Sequence, residues 1–188
     1  KKDLKFFKKI NLKNIDIING GDSRQQSTYN ALNYLKRKKI NDQVLIHDAA
    51  RPNFSLNLIK KILIESKKNN CVIPVLKIQD ALKEKKKKNI FSNLNRDNFF
   101  LTQTPKIFNF KKIFNFYKKN RKNYNDDDLS LIDSNCFVKF INGEKRNFKI
   151  TYKNDFELLK KIYKSNLKVG IGFDVHRLVR GRKLLLGG

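Results

Sequence analysis

Four short segments hold side chains whose types and spacing could do chemistry. The first is Gly20-Gly21-Asp22-Ser23-Arg24-Gln25-Gln26-Ser27. Its glycines let the backbone approach a ligand, and a helix starting there would offer unpaired N–H groups to an anion or a base. A tight turn before a capped helix needs the same residues, and spacing alone favours that plainer reading. The second is His47-Asp48-Ala49-Ala50-Arg51-Pro52, after an apolar run. A carboxylate there can hold Mg²⁺ or a ribose hydroxyl, and Arg51 can pair with a phosphate. An Asp-initiated turn with a surface arginine is the alternative, but acid and base together at a strand end tip the balance toward function. The third group is scattered: Arg96, Thr102-Gln103-Thr104-Pro105 and Asn147-Phe148-Lys149-Ile150-Thr151. Each is unremarkable alone, and a solvated lysine is the default for Lys149. The fourth is Gly170-Ile171-Gly172-Phe173-Asp174-Val175-His176. Asp174 and His176 alternate on one face of a strand and could give two ligands to Zn²⁺ or Mn²⁺. An Asp-x-His triplet is also common by chance.

The elements that must position these groups follow from apolar periodicity. Residues 14–18 read as a strand ending at Gly20-Gly21, and Ser23 caps a helix with Thr28, Leu32 and Leu35 on one face. Residues 43–47 read as a second strand, stopping at Asp48, where ligands of open α/β sheets bind. Ser55 starts a helix carrying Leu58 and Ile62. Val72 to Leu76 is a third strand, with Pro74 placing it near an edge or making it irregular. Strands alternating with helices argue for a parallel α/β sheet. Residues 81–104 change character, and their short strands around polar turns suggest a projecting hairpin arm. Phe110 to Tyr117 reads as a helix, and Asp126-Asp127-Asp128 as the start of another. Residues 137–141 and 148–151 around Asn142-Gly143 suggest a hairpin. Asn154 caps a closing helix through Ile162.

Composition bounds the rest. The 188 residues carry 43 Lys+Arg against 17 Asp+Glu, a net +26, and such charge first suggests nucleic acid. Lysine outnumbers arginine 34 to 9, whereas base and phosphate readout favours the planar guanidinium. The lysines travel with 24 Asn and many Ile and Phe, residues that share A/T-rich codons. A solvated surface explains the charge better, including the run Lys83-Glu84-Lys85-Lys86-Lys87-Lys88. Cys71 and Cys136 lie far apart without a Cys-x-x-Cys partner, which suggests reduced thiols and a cytoplasmic protein. No stretch reaches the roughly 20 apolar residues of a membrane span. One glycine separates residues 22 and 169, while five fall in the last 19. This shift suggests a linker near Ser165-Asn166 and a new module after it. With no Met anywhere, the chain is expected to be a piece of a longer protein.

Taken in order, Gly-Gly-Asp-x-Arg-x-x-Ser at 20–27, His-Asp-Ala-Ala-Arg-Pro at 47–52, Gln-Thr-Pro at 103–105 and Asn-x-Lys-Ile-Thr at 147–151 resemble the 2-C-methyl-D-erythritol 4-phosphate cytidylyltransferases. The last 20 residues, from Val-Gly-x-Gly-Phe-Asp-Val-His-Arg-Leu to Leu-Gly-Gly, resemble the start of a 2-C-methyl-D-erythritol 2,4-cyclodiphosphate synthase. The two occur fused in the bifunctional enzymes of non-mevalonate isoprenoid synthesis.

The resemblance implies a Rossmann-like nucleotidyltransferase α/β sheet with a projecting β-arm at residues 1–166. The first strand of a truncated cyclase would follow at 167–188. It implies CMP transfer from CTP, with Mg²⁺, to methylerythritol phosphate. Gly21, Asp22 and Ser27 would hold the cytosine end, and Asp48 and Ala49 would lie near the ribose and reacting phosphate. Arg51, Thr104 and Lys149 would line the methylerythritol phosphate site. Arg96 would reach into the neighbouring subunit of a homodimer, and the parent's cyclase would be a trimer. Asp174 and His176 would be two of three ligands to Zn²⁺ or Mn²⁺. The usual Asp-Thr-x-Lys is Asp80-Ala81-Leu82-Lys83 here, Asp126 stands at an expected threonine, and Lys106 replaces a glutamine. The family's glycine-rich triphosphate loop belongs upstream of Lys1, so the 188 residues alone are expected to be inactive. A nucleotidyltransferase for another sugar or alditol phosphate, or a basic nucleic-acid-binding module, are the alternatives.

Overall fold

The computed structural model describes residues 15–40, 42–87, 90–119 and 137–164. The chain divides into two compact units, residues 1–151 and 152–188.

The first unit is a sheet with helices on both faces. Helix α1, Arg24–Arg37, begins where Ser23 leaves the helical region and its side chain accepts the Gln26 N–H; Lys36 and Arg37 sit in its last turn, where cations suit the helix dipole. Strand β1, Gln43–Ile46, leads through a turn to helix α2, Leu56–Ser66, where Ser55 caps the Leu58 N–H. Next come β2, Cys71–Lys77; β3, Leu82–Lys87; β4, Ile90–Leu94; a short turn of helix at Arg96–Asn98; β5, Phe100–Thr102; β6, Lys106–Asn109; helix α3, Phe110–Lys119; and β7, Lys139–Asn142.

Side-chain alternation along β2 builds two cores. Cys71, Ile73 and Val75 face one way, packing with Leu32 of α1 and with Phe108, Phe110, Ile113, Phe114 and Tyr117. Val72 faces the other way, packing with Leu58 and Ile62 of α2 and with Ile107. Such a period of two, apolar on both faces, marks a strand covered by helices on each side.

The sheet is mixed, which corrects the parallel sheet expected from alternating elements. Strands β1 and β2 point the same way, but β6 lies between them and is antiparallel to both. Strand β5 also pairs antiparallel with β2, and β7 pairs parallel with it. By register, β5 and β6 form one antiparallel run along β2, interrupted at Gln103–Pro105. This places Pro74 in the central strand and not at an edge, beside a break in the ladder that matches the irregularity expected as the alternative. It lies where the ladder passes from β6 to β5, its carbonyl accepting the Gln103 N–H at 2.8 Å.

The projecting arm is present. Strands β3 and β4 form their own two-stranded antiparallel sheet, so Lys83 to Lys87 of the lysine run lie on a strand of it. Phe100–Thr102, expected in the arm, joins the main sheet. Residues 15–20 form no strand among the described residues, and Asn30 Nδ2 donates to the Asn19 and Gly20 carbonyls. The hairpin expected at Asn142-Gly143 does not form. The Gly143 N–H donates to the Val75 carbonyl at 2.8 Å, extending β7 along β2, and residues 148–151 are not a strand. Asp126–Asp128 and Cys136 lie outside the described residues; Cys71 is buried.

The second unit holds helix α4, Lys153–Lys164. Asn154 lies inside its first turn; Asp155 does the capping expected of it, accepting the Tyr152 N–H at 2.8 Å. Among the described residues, no helix is long and apolar enough to cross a membrane.

Candidate functional site

Asp48 is the hub, at the carboxyl end of β1. Its carboxylate lies 3.1 Å from Arg24 Nε, 3.8 Å from Lys149 Nζ and 3.9 Å from Arg51 Nε. Each cation arrives by a different route. Arg24 is the first residue of α1, whose N-terminus opens toward the end of β1. Arg51 is brought back by the turn in which its N–H donates to the Asp48 carbonyl at 2.9 Å. Lys149 comes from the segment after β7, pinned where the Ile150 N–H donates to the Ala50 carbonyl at 2.8 Å.

Partial burial works to raise the Asp48 pKa, but attraction to Arg24, Lys149 and Arg51 outweighs it and holds the carboxyl below its ordinary range. Burial lowers the Arg51 pKa while Asp48 raises it, with a net lowering; a guanidinium stays charged regardless. One carboxylate against three cations leaves the locus with a surplus of positive charge, suited to phosphate.

A second tier of contacts holds this hub. His47 Nε2 donates to the Arg51 carbonyl at 3.0 Å, leaving Nδ1 as acceptor in the neutral ring. The Thr104 hydroxyl donates to that Nδ1 at 3.2 Å and accepts the Asp48 N–H at 3.0 Å. Burial lowers the His47 pKa, so the ring is neutral at pH 7 and this pattern is self-consistent. Arg51 donates from Nη1 to the Asn147 carbonyl at 2.9 Å and from Nη2 to the Thr102 carbonyl at 3.4 Å. Its Nε is buried with no hydrogen-bond partner among the described residues, so Asp48 is its nearest compensation.

The hub opens into a cleft of about 610 Å³ between α1 and β1. Arg24, Ser27, Asp48, Ala49 and Lys149 line it. Lys149 is half-exposed, with its ammonium available to a ligand. Thr104 and Arg51 lie beneath the lining, their polar atoms engaged as above. Gly21 and Asp22 form the turn before α1. The Gly21 N–H donates to Ser27 Oγ at 2.9 Å and the Asp22 N–H to Gln26 Oε1 at 3.1 Å. A Cβ on Gly21 would overlap the Gln26 side chain, so glycine is required there for close approach.

Arg96 is elsewhere. It is exposed at the base of the arm, donating to the Gln79 carbonyl beside Lys77, Phe99 and Phe100. Within one chain it is not brought to Asp48. Asp174 and His176 lie outside the described residues. Among the described residues no cluster of three His, Cys, Asp or Glu side chains could hold a metal. Among the described residues, Asp48 is the one carboxylate lining the cleft. A Mg²⁺ site typically takes one or two carboxylates and completes its shell with waters and substrate phosphates. Asp48 fits that modest requirement.

Residues 1–165 match the sequence family described as 2-C-methyl-D-erythritol 4-phosphate cytidylyltransferase. The chain belongs to that family. A bifunctional IspD/IspF enzyme of Pelagibacter ubique is 45% identical over 188 residues, covering 100% of this chain and 49% of the relative. A cytidylyltransferase of the same description from Petrotoga mobilis is 32% identical over 169 residues, covering 88% of this chain and 73% of that protein. The crystal structure of 4-diphosphocytidyl-2C-methyl-D-erythritol synthase from Anaerococcus prevotii superposes with a TM-score of 0.78 at 30% identity, covering 87% of this chain and 75% of that one. The chain spans about half the length of the bifunctional relatives it matches. A cytidylyltransferase-family site of this nucleotidyltransferase type is compatible with a divalent metal.

Arg24, Gln103 and Asn147 stand inside the motifs quoted from the sequence, but none of the three is given a role there. For Arg24 a signal existed: a cation directly after an N-cap, on a helix that follows a glycine turn, points back at the strand end. For Gln103 and Asn147 the motif spacing does not reveal what matters, which is burial and long-range bonding.

Proposed function

We propose that residues 1–166 supply most of a domain that transfers CMP from CTP to 2-C-methyl-D-erythritol 4-phosphate, releasing pyrophosphate. A phosphate oxygen of the acceptor bonds to the α-phosphorus of CTP as the bond from that phosphorus to the bridging oxygen breaks, and pyrophosphate leaves with the electron pair. Such a step mainly requires positioning and neutralised charge. The observation that carries the reading is the convergence of Arg24, Arg51 and Lys149 on Asp48, beside a cleft at the strand end, in a member of this family.

In this reading Gly21, Asp22 and Ser27 hold the cytosine end, and Asp48 and Ala49 face the ribose and reacting phosphate. Lys149 reaches the methylerythritol phosphate side, with Arg51 and Thr104 bracing that wall from beneath. Mg²⁺, held by Asp48 and by substrate phosphates, would draw charge off the phosphoryl oxygens. Arg96 completes the neighbouring subunit's site in a homodimer formed through the arm. Residues 167–188 begin a cyclodiphosphate synthase, trimeric in the parent, where Asp174 and His176 bind Zn²⁺ or Mn²⁺. That domain cyclises the later 2-phosphate intermediate with loss of CMP. We place the enzyme in the cytoplasm.

The test is pyrophosphate release by the full-length enzyme carrying this chain, across CTP and the other nucleoside triphosphates and a panel of sugar and alditol phosphates. The reading expects turnover with CTP and methylerythritol phosphate well above every other pair. A preference for a different acceptor overturns the substrate assignment.

A further inference from the structure

Gln103 is 3% exposed, and nearly all of its hydrogen-bonding capacity goes to one loop. Its Oε1 accepts the Glu144 N–H at 3.0 Å. Its Nε2 donates to the Glu144 carbonyl at 2.9 Å and to the Asn147 carbonyl at 3.1 Å. One carboxamide therefore closes three backbone contacts across the loop that leads from β7 to Lys149. Its own backbone is fixed, because its N–H donates to the Pro74 carbonyl in the central strand.

The Asn147 carbonyl it holds is the same atom that receives Arg51 Nη1. The Asn147 side chain closes the circuit, with Nδ2 donating to the Thr104 carbonyl at 2.8 Å. Gly143 leaves room for the amide: a Cβ there would overlap Gln103 Oε1 and lie 3.2 Å from the Val75 carbonyl. The loop's outer end is tied down independently, since the Glu144 carboxylate accepts from Ser55 N–H and Oγ at the start of α2.

We propose that Gln103 is a positioning residue for the acceptor side of the cleft, setting where Arg51 and Lys149 stand relative to Asp48. The inference rests on the cytidylyltransferase reading and deepens it. The backbone bond of Asp48 to Thr104 and its pair with Arg24 use no atom of the Gln103 side chain, so the effect should fall mainly on the acceptor side. A buried amide that meets two carbonyls cannot be replaced by a carboxylate without repulsion.

The test uses Gln103→Glu and, separately, Gly143→Ala in the full-length enzyme, with KM and kcat measured for each substrate. Displacing the loop by a fraction of an ångström to one ångström should raise KM for methylerythritol phosphate about tenfold to a hundredfold, while KM for CTP stays within about twofold. Gly143→Ala reaches the same amide from another residue, so it decides the matter where Gln103→Glu does not fold. A structural role alone would lower the melting temperature and the active fraction without splitting the two KM values. Folded variants with both KM values unchanged, or with both shifted together, overturn the proposal while the cytidylyltransferase reading stands. An unmodified enzyme silent on these substrates overturns both.

Discussion

Replacing Asp48 with asparagine keeps the shape of the hub and removes its only negative charge among the described residues. Three cations then face one another, and the consequence can be worked from the geometry. A unit-charge pair near 4 Å is worth about 4 kcal/mol at the effective dielectric of a protein surface. That figure is not realised for Arg24 and Lys149, whose side chains are 32% and 49% exposed; pairs of that kind return about 0.2–1 kcal/mol each. Arg51 is different at 14% exposure, and a buried cation stripped of its carboxylate costs roughly 1–3 kcal/mol. The sum is about 1.4–5 kcal/mol, or a fall of roughly 3–20 °C in melting temperature for a unit of this size. The assay is thermal unfolding at pH 7.5 with and without inorganic pyrophosphate. The asparagine variant should melt earlier and should regain more of its loss on adding pyrophosphate than the unmodified protein gains. A variant that melts within a degree of the unmodified protein, or that ignores pyrophosphate, refutes the view of Asp48 as the counter-charge of an anion site.

Lys149→Ala should leave stability within about 1 kcal/mol, since its ion pair is half-exposed, yet lower kcat/KM of the full-length enzyme by about 10²–10³; near-normal turnover would remove Lys149 from the chemistry. Acid should destabilise the fold in two stages. The pKa of His47 is lowered by burial, and that of Asp48 by its cations, so the folded chain binds fewer protons than the unfolded one and stability falls as pH falls. The His47 stage starts near the ordinary imidazole value of 6.5 and the Asp48 stage below 3.8. His47→Gln should therefore flatten the melting temperature between pH 6.5 and about pH 5, measured by circular dichroism. Ile62 is fully buried under the sheet, so Ile62→Ala should cost about 2–5 kcal/mol in denaturant unfolding while leaving the KM values of the folded enzyme unchanged.

Local signals carried much of the architecture. Ser23 and Ser55 announce helices because a hydroxyl before an apolar run can accept the orphan N–H groups of the first turn, and both do so. The apolar, β-branched runs at 43–46 and 71–77 are strands for an equally local reason, and in the second both faces are covered. Strand order was not legible. The insertion of β6 between β1 and β2 depends on pairings between distant segments, and nothing local distinguishes a parallel neighbour from an antiparallel one. Pro74 did signal an irregular strand, its missing N–H falling at the gap between two ladders, but not that the strand is central. Asn142-Gly143 has the composition of a hairpin turn, but Gly143 is needed for the approach of Gln103 and the Val75 carbonyl. At the site, the place of Asp48 at a strand end pointed to it directly, whereas Lys149 was pointed to only by the family resemblance. Motif spacing was silent on which cations Asp48 would gather and on the amide that holds their loop, because those facts exist only once the β5–β6 interruption and the β7 loop meet.

The most direct measurement is a crystal structure of the full-length enzyme with methylerythritol phosphate and a non-hydrolysable CTP analogue. The account places the phosphates in the cleft between α1 and the end of β1, with the Lys149 ammonium within salt-bridge distance of a phosphate oxygen. Phosphates bound away from that cleft, for instance on the lysine-rich groove of Lys36, Lys39 and Lys118 between α1 and α3, would contradict it.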